Sequence, residues 1–385
     1  MTVLTKPLSQ VDATMFEKIL RPFASLIKKN SNSLSVPVLD GAFKPNNLLE
    51  EAEVLVERAG LEDLAVNDKG QLFAACGSAV FAVSSDGEMS KLASFDQDVT
   101  ALAVLNDNSM VVALGDKVIT GVGTSSERIT KEADGIRFVA VTALSVQKDG
   151  QVLVTDGSDK YPSSDWRRDL MSKNRKGRLI RLNPKTGKAQ VLASGLAYAF
   201  GAYNTKENGI LVSESWTHSI SQVSTQGKSS TIIEHLPGYP CRFAACDDGG
   251  FWLTLFCSRT QLVEFVLKEN DYRQEMMKTI PPEYWIAPSY GSGTDFLEPL
   301  QGGGVKQMGY LKPWAPPRSY GLLVRFGSDL TPEFSLHSRV GGKHHGICAA
   351  VQVKDTLYLL SKGAGRILKL SVAATRATLS GEDIE

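Results

Sequence analysis

The chain has 385 residues, enough for one large domain with appendages. Its 42 Lys and Arg balance 42 Asp and Glu, so no charge excess points to a nucleic-acid or acidic-membrane partner. No apolar run reaches the roughly 20 residues that span a bilayer, and five scattered cysteines without CxxC spacing read as reduced thiols of a cytoplasmic protein.

The start of the chain has no secretory apolar region. Residues 11–30 have helical spacing: Phe16, Ile19, Leu20, Phe23 and Ile27 share one face. Asp12 is placed to cap this helix, and Lys28 and Lys29 suit its end. Residues 1–50 are therefore expected to be an N-terminal helix and a polar connector.

From residue 51 the pattern changes to period two. A unit of two strands around a D/N-G-type turn reads LEDLAVNDKGQLFAAC from Leu61 and VTALAVLNDNSMVVAL from Val99. It returns as VTALSVQKDGQVLVTD from Val141, AFGAYNTKENGILVSE from Ala199 and PCRFAACDDGGFWLTL from Pro240. A looser copy, GICAAVQVKDTLYLLS, starts at Gly346. Each is followed by an outer hairpin such as GRLIRLNPKTGKAQVLA. Serial antiparallel hairpins at a fixed period predict an all-β fold, a six-bladed β-propeller over 51–372. The sixth unit stops at GRILKL, and the spare strand Ala52–Glu57 is expected to complete it, which removes two sheet edges.

Two insertions interrupt the repeat, at 156–176 and 279–319. The second holds PPEYWIAPSY and KPWAPPRSY. It has too many large apolar groups for a solvated linker, so it predicts an ordered, aromatic-rich cap over a binding surface. Residues 373–385 read as a small, polar tail.

The runs GRLIRLNPKTGKAQVLASG, LVSES, LPGYPCR and DDGGFWLTL resemble the strictosidine synthase-like family, within the superfamily of gluconolactonase and paraoxonase propellers. The resemblance covers about residues 60–370, most clearly after 135. It implies a site where the inner strands begin, around the central channel. It also implies chemistry ranging from lactone or ester hydrolysis to carbon–nitrogen and carbon–carbon bond formation or lyase activity, or a binding propeller without catalysis. Metal-binding members hold calcium there through Glu, Asn, Asn and Asp. The matching positions here are Glu62, Thr142, Phe200 and Cys241, of which Glu62 alone keeps a ligand. The resemblance thus makes calcium the family's cofactor, while these residues predict none. Condensing members use a glutamate on the sixth inner strand, where this chain has Cys348.

The candidate catalytic set is Glu62, His345 and Arg242. Glu62 or His345 would activate water, and Arg242 would hold an oxyanion or pair with Glu214. Thr142, Phe200, Cys241, Tyr239, Tyr161, Trp285, His344 and Cys348 are candidate substrate-binding residues. Cys241 is also a candidate nucleophile beside Arg242. Trp314 is expected to join Trp285 in closing over the pocket. The expected partner is a small-molecule substrate, with no nucleic acid and no membrane; oligomeric state is left open.

Overall fold

The computed structural model describes residues 36–381 except 206–208, 225–226, 294, 296 and 300–317. The helix expected over 11–30 and Trp314 lie outside the described residues.

Six four-stranded antiparallel sheets form the blades. Blade 1 holds Leu61–Val66, Leu72–Cys76, Ala79–Val83 and Met89–Ser94. The innermost strands of blades 2 to 6 are Ala101–Val104, Val141–Val146, Ala199–Asn204, Gly238–Ala245 and Ile347–Val353. In blade 6, Glu53–Glu57 pairs antiparallel with Arg366–Ser371 and supplies the outermost strand. The two ends of the propeller thereby share one sheet, the closure that the truncated sixth repeat implies.

The turns explain the repeat. Gly70 and Gly150 have φ of 78° and 77°, a backbone region open to glycine and costly for most side chains. Asn108 and Lys354 take the same region in the second and sixth copies.

Packing explains the radial array. Each blade–blade junction has its own apolar cluster. Leu64 and Phe81 of blade 1 meet Leu360 and Ile367 of blade 6. Leu153 and Leu179 of blade 3 meet Ala202 and Val212 of blade 4. A second strand is therefore buried along its whole length, as in Val152–Asp156, while the outermost Met89–Ser94 is largely exposed. Each fully buried Leu, Val or Phe contributes about 1.5–3 kcal/mol.

Both insertions lie between the second and third strands of a blade. The first, in blade 3, carries helix α1 (Trp166–Met171). The second, in blade 5, starts earlier than the composition suggests, with α2 (Gln261–Lys268) and α3 (Asn270–Thr279). The Thr260 hydroxyl caps α2 by accepting from Val263 N. The chain after blade 6 forms a helix, α4 (Val372–Ser380), where a polar tail is expected. Ser371 Oγ caps it by accepting from Ala374 N.

Candidate active site at the channel mouth

The candidate positions reach the channel through one local device. In five blades the ladder between the first and second strands changes register near the start of the inner strand. The residues skipped are Glu62, Thr142, Phe200 with Gly201, Tyr239 and then Cys241 with Arg242, and Cys348. A bulge leaves a residue without a cross-strand partner and re-aims its side chain. Repeated around the ring, it takes residues of five blades out of the ladder near one end of the channel.

Arg242 occupies the channel axis. Its Nη1 donates to the carbonyls of Glu62 and Cys348 at 3.3 and 3.4 Å, and its Nη2 to those of Thr100 and Thr142 at 2.8 and 2.7 Å. Its Nε lies 3.5 Å from Asp63 Oδ1, and the guanidinium sits 5.3 Å from the Phe200 ring centroid. A side chain from blade 5 therefore touches the inner strand of every other blade. Burial pushes the Asp63 carboxyl up, against the pull of Arg242. The guanidinium is held up by Asp63 and Glu62 in spite of its own burial. Asp63 also accepts from Leu64 N and Leu102 N at 2.9 Å each, which supports its ionised form. The four terminal guanidinium N–H donors are already bonded. The expected role of Arg242 on a reacting oxyanion is corrected: it is the internal tie of the propeller. Glu214 is not its partner; that carboxylate accepts from Ala197 N and Ser221 Oγ instead.

On one side of this layer the channel widens into a cavity of about 250 Å³. Among the described residues Asp63 and Arg242 are the charged ones in its lining, which is otherwise mostly small and apolar.

At the mouth lies Glu62. Lys362 Nζ donates to Glu62 Oε1 at 2.5 Å, with the two side chains 26% and 27% exposed. Lys362 follows the second strand of blade 6. That strand runs antiparallel to the inner one, so its end returns to the mouth. The loop is pinned: Lys362 N donates to Gly346 O, and Gly363 N to His345 O. A Cβ at Gly363 would fall on Tyr290 O, so only glycine lets the cap residue Tyr290 sit this close. The Lys362 ammonium lies 4.7 Å from the Tyr290 ring centroid. Tyr290 packs against Trp166 and Phe256, both at 5.1 Å between centroids. Tyr198, stacked on Trp216 at 4.3 Å, has φ of 59°, a strained conformation for a bulky residue.

The other candidates are tied into the structure. His345 is corrected as a base: its Nε2 donates to Arg339 O at 2.9 Å, so its Nδ1 accepts from Ser319 Oγ at 2.7 Å. Burial lowers its basicity. His344 is buried and lies within the influence of the Glu50 charge. Tyr239 and Trp285 are fully buried core residues, not pocket walls; Trp285 Nε1 donates to Ile280 O. Tyr161 is on the first insertion, where its hydroxyl accepts from Ser172 Oγ. Thr142 Oγ1 donates to Ala199 O at 2.7 Å, a bridge between blades 3 and 4. Cys241 and Cys348 are buried side by side. Burial and the Cys241 thiol push the Cys348 thiol well up, which disfavours a nucleophilic thiolate at Cys348. Phe200 lies in the same apolar cluster, its ring against Arg242. Sequence reasoning missed Lys362, Tyr290 and Asp63.

The donor set does not fit calcium. Glu62 is bonded to an ammonium, the Phe200 and Cys241 positions offer a ring and a buried thiol, and the Thr142 hydroxyl is engaged. Two cationic groups, Arg242 and Lys362, lie where a divalent ion would need anionic oxygen. Among the described residues no group of three His, Cys, Asp or Glu side chains could hold a metal.

The family model for strictosidine synthase matches residues 142–228. Protein STRICTOSIDINE SYNTHASE-LIKE 6 of Arabidopsis thaliana is 30% identical over 190 residues, 47% of this chain and 48% of its own. The chain is therefore similar in sequence to the strictosidine synthase family over its middle part, within a six-bladed propeller. A second Arabidopsis relative, STRICTOSIDINE SYNTHASE-LIKE 7, is 30% identical over 160 residues, 39% of this chain and 41% of its own. This propeller thus spans less than half the length of these relatives. A solved gluconolactonase from Xanthomonas campestris superposes with a TM-score of 0.53 at 14% identity, covering 83% of this chain and 88% of that one. At that identity the likeness concerns the fold. No helix among the described residues is long and apolar enough to cross a membrane.

Proposed function

We propose that this propeller hydrolyses a small cyclic ester at the channel mouth, with Glu62 as general base. The observation that carries the reading is the Glu62–Lys362 pair: two opposite charges at 2.5 Å, partly open to solvent, beside the aromatic cap. In the reaction Glu62 takes a proton from water, and the water oxygen adds to the ester carbonyl carbon. The tetrahedral oxyanion then collapses. The acyl carbon–oxygen bond breaks, the ring oxygen recovers the proton from Glu62, and a hydroxy acid leaves. The partly buried Tyr290 ring, packed against the cluster that holds Phe200 and Tyr198, offers an apolar face to the carbon skeleton.

A second reading is a small-molecule-binding propeller without catalysis. It is supported by the engagement of Arg242 and of both His345 nitrogens in structural bonds. Titrating acid release from a panel of γ-lactones, δ-lactones and aryl esters separates the two. The hydrolase reading expects turnover that falls by about 10²–10⁴ in Glu62→Gln. Saturable ligand binding without acid release would select the second reading.

A further inference from the structure

We propose that the Lys362 ammonium takes the place of the divalent cation that the family resemblance puts beside Glu62, making this propeller's electrophile part of the chain. The proposal rests on the hydrolase reading for its chemistry, but its geometry stands apart from it. Glu62 is the one retained ligand position, and the group bonded to its carboxylate is a cation, at 2.5 Å. The other ligand positions have become Thr142, Phe200 and Cys241, which supply no anionic oxygen. Loss of a metal site usually leaves its remaining carboxylate uncompensated. Here compensation arrives from blade 6.

The ammonium is built in. Gly346 and Gly363 close the loop around it: a Cβ at either would collide with Tyr290 O. Ser361 Oγ donates to His345 O at 2.7 Å and anchors the end of the strand before it. The Tyr290 face lies against Nζ. Among the described residues Glu62 is its hydrogen-bond partner, so donors of the ammonium remain for a ligand oxygen. A carbonyl oxygen at the mouth would accept one of them. As water adds to the carbonyl carbon, negative charge grows on that oxygen next to a cation already held in place by Glu62 and the Tyr290 face. Glu62 meanwhile takes the proton of the water. The ammonium keeps its own protons throughout. A single charge polarises a carbonyl less than a divalent ion, which suits activated or strained esters.

Two measurements test this, one without substrate. The first is calorimetry with calcium, magnesium, manganese and zinc, paired with side-chain nitrogen NMR of the lysine ammonium groups. The expected result is no stoichiometric binding, and a protected ammonium signal that excess calcium leaves in place. That signal vanishes in Lys362→Met and moves in Glu62→Gln. One bound cation per chain, lost in Glu62→Gln, overturns the proposal. The second is ester turnover. Lys362→Met should lower kcat about a hundredfold with little change in KM, added metal should not restore it, and Lys362→Arg should keep part of it. Wild-type turnover in Lys362→Met overturns the proposal even where Glu62→Gln is inactive, which would leave the hydrolase reading standing. Absence of turnover on every ester would sink that reading and leave the metal and NMR results to decide this one.

Discussion

Glu62 and Asp63 are neighbours in the chain and opposites in environment. Asp63 is buried against Arg242 and two backbone N–H groups. Glu62 is a quarter exposed and faces a lysine on a loop. Asp63 and Arg242 belong to a layer in which nearly every donor has a fixed acceptor, and that layer holds the blades together. Glu62 and Lys362 belong to a pair with unused hydrogen-bonding capacity, and that capacity is what chemistry requires. A charged residue at a propeller axis is therefore not by itself a site residue; what decides is whether its bonds are already made.

The largest effect expected is on Arg242. Arg242→Ala removes donors to four inner strands and leaves Asp63 buried without its cation. Breaking a buried pair on one side costs about 3–5 kcal/mol, read as a lower midpoint of denaturant unfolding. Asp63→Asn combined with Arg242→Met should recover part of that loss. A stable Arg242→Ala protein would break the contrast at once, because it would show that the axis is not held by this side chain.

The next effect concerns a second buried network. His337 is fully buried. Ser335 Oγ donates to Ala42 O at 2.7 Å, so it accepts from His337 Nε2 at 2.7 Å, and His337 Nδ1 accepts from Tyr320 Oη at 3.0 Å. The ring is satisfied only when neutral, and burial lowers its pKa from 6.5 to about 4. The unfolded chain takes up a proton on this ring below its ordinary value, and the folded one does so only near 4. This stabilisation is complete above pH 6.5 and is lost as pH falls towards 4, by about 3 kcal/mol in total. Stability measured against pH for the wild type and His337→Gln should differ in that window. Parallel curves would show that the ring is not held neutral.

Glu62→Gln sharpens the comparison from the other side. Its pair is partly solvated, so stability should change by less than about 1 kcal/mol, while turnover falls as described above. A large loss of stability would move Glu62 into the structural class with Asp63.

The fold was legible because the signal is local and repeated. Strand alternation, a D/N-G turn and a second strand recur in LEDLAVNDKGQLFAAC and its copies, and the truncated sixth copy calls for the Glu53–Glu57 strand. The mouth positions were legible for the same reason, since Glu62, Thr142, Phe200 and Cys348 fall in register near each unit's start. Their partners were not. Arg242 bonds carbonyls, which every residue has, so no residue type advertises its role. Lys362 closes a strand that begins at the opposite rim, and its meeting with Glu62 depends on ring closure across 300 positions. One cue existed: Lys362 follows a second strand at a point where blades 1 and 3 carry Gly77 and Gly157. Helix α2 also had a signal, a Thr260 cap with Val263 and Val266 buried at helical spacing, hidden inside an apolar run that reads as strand.

The smallest effect expected is at the surface, and it tests burial against distance as the deciding variable. Asp248 is shared by two arginines. Arg325, 1% exposed, brings Nη2 to 2.6 Å from Asp248 Oδ1, and Arg376 on α4, 47% exposed, lies 3.6 Å from Oδ2. Arg376 also reaches Glu333 at 3.5 Å. Its contacts are long, its side chain is half solvated, and salt screens them. Arg376→Ala should cost less than about 0.5 kcal/mol, and less still at high ionic strength. Arg325→Ala leaves a cavity beside Trp252, whose ring centroid is 5.8 Å from the guanidinium, and should cost several times more. Unfolding midpoints of the two variants at low and high salt make the test. Equal losses would mean that the shared carboxylate, not the burial of its partner, sets the energy, and the contrast between Asp63 and Glu62 would then need another explanation.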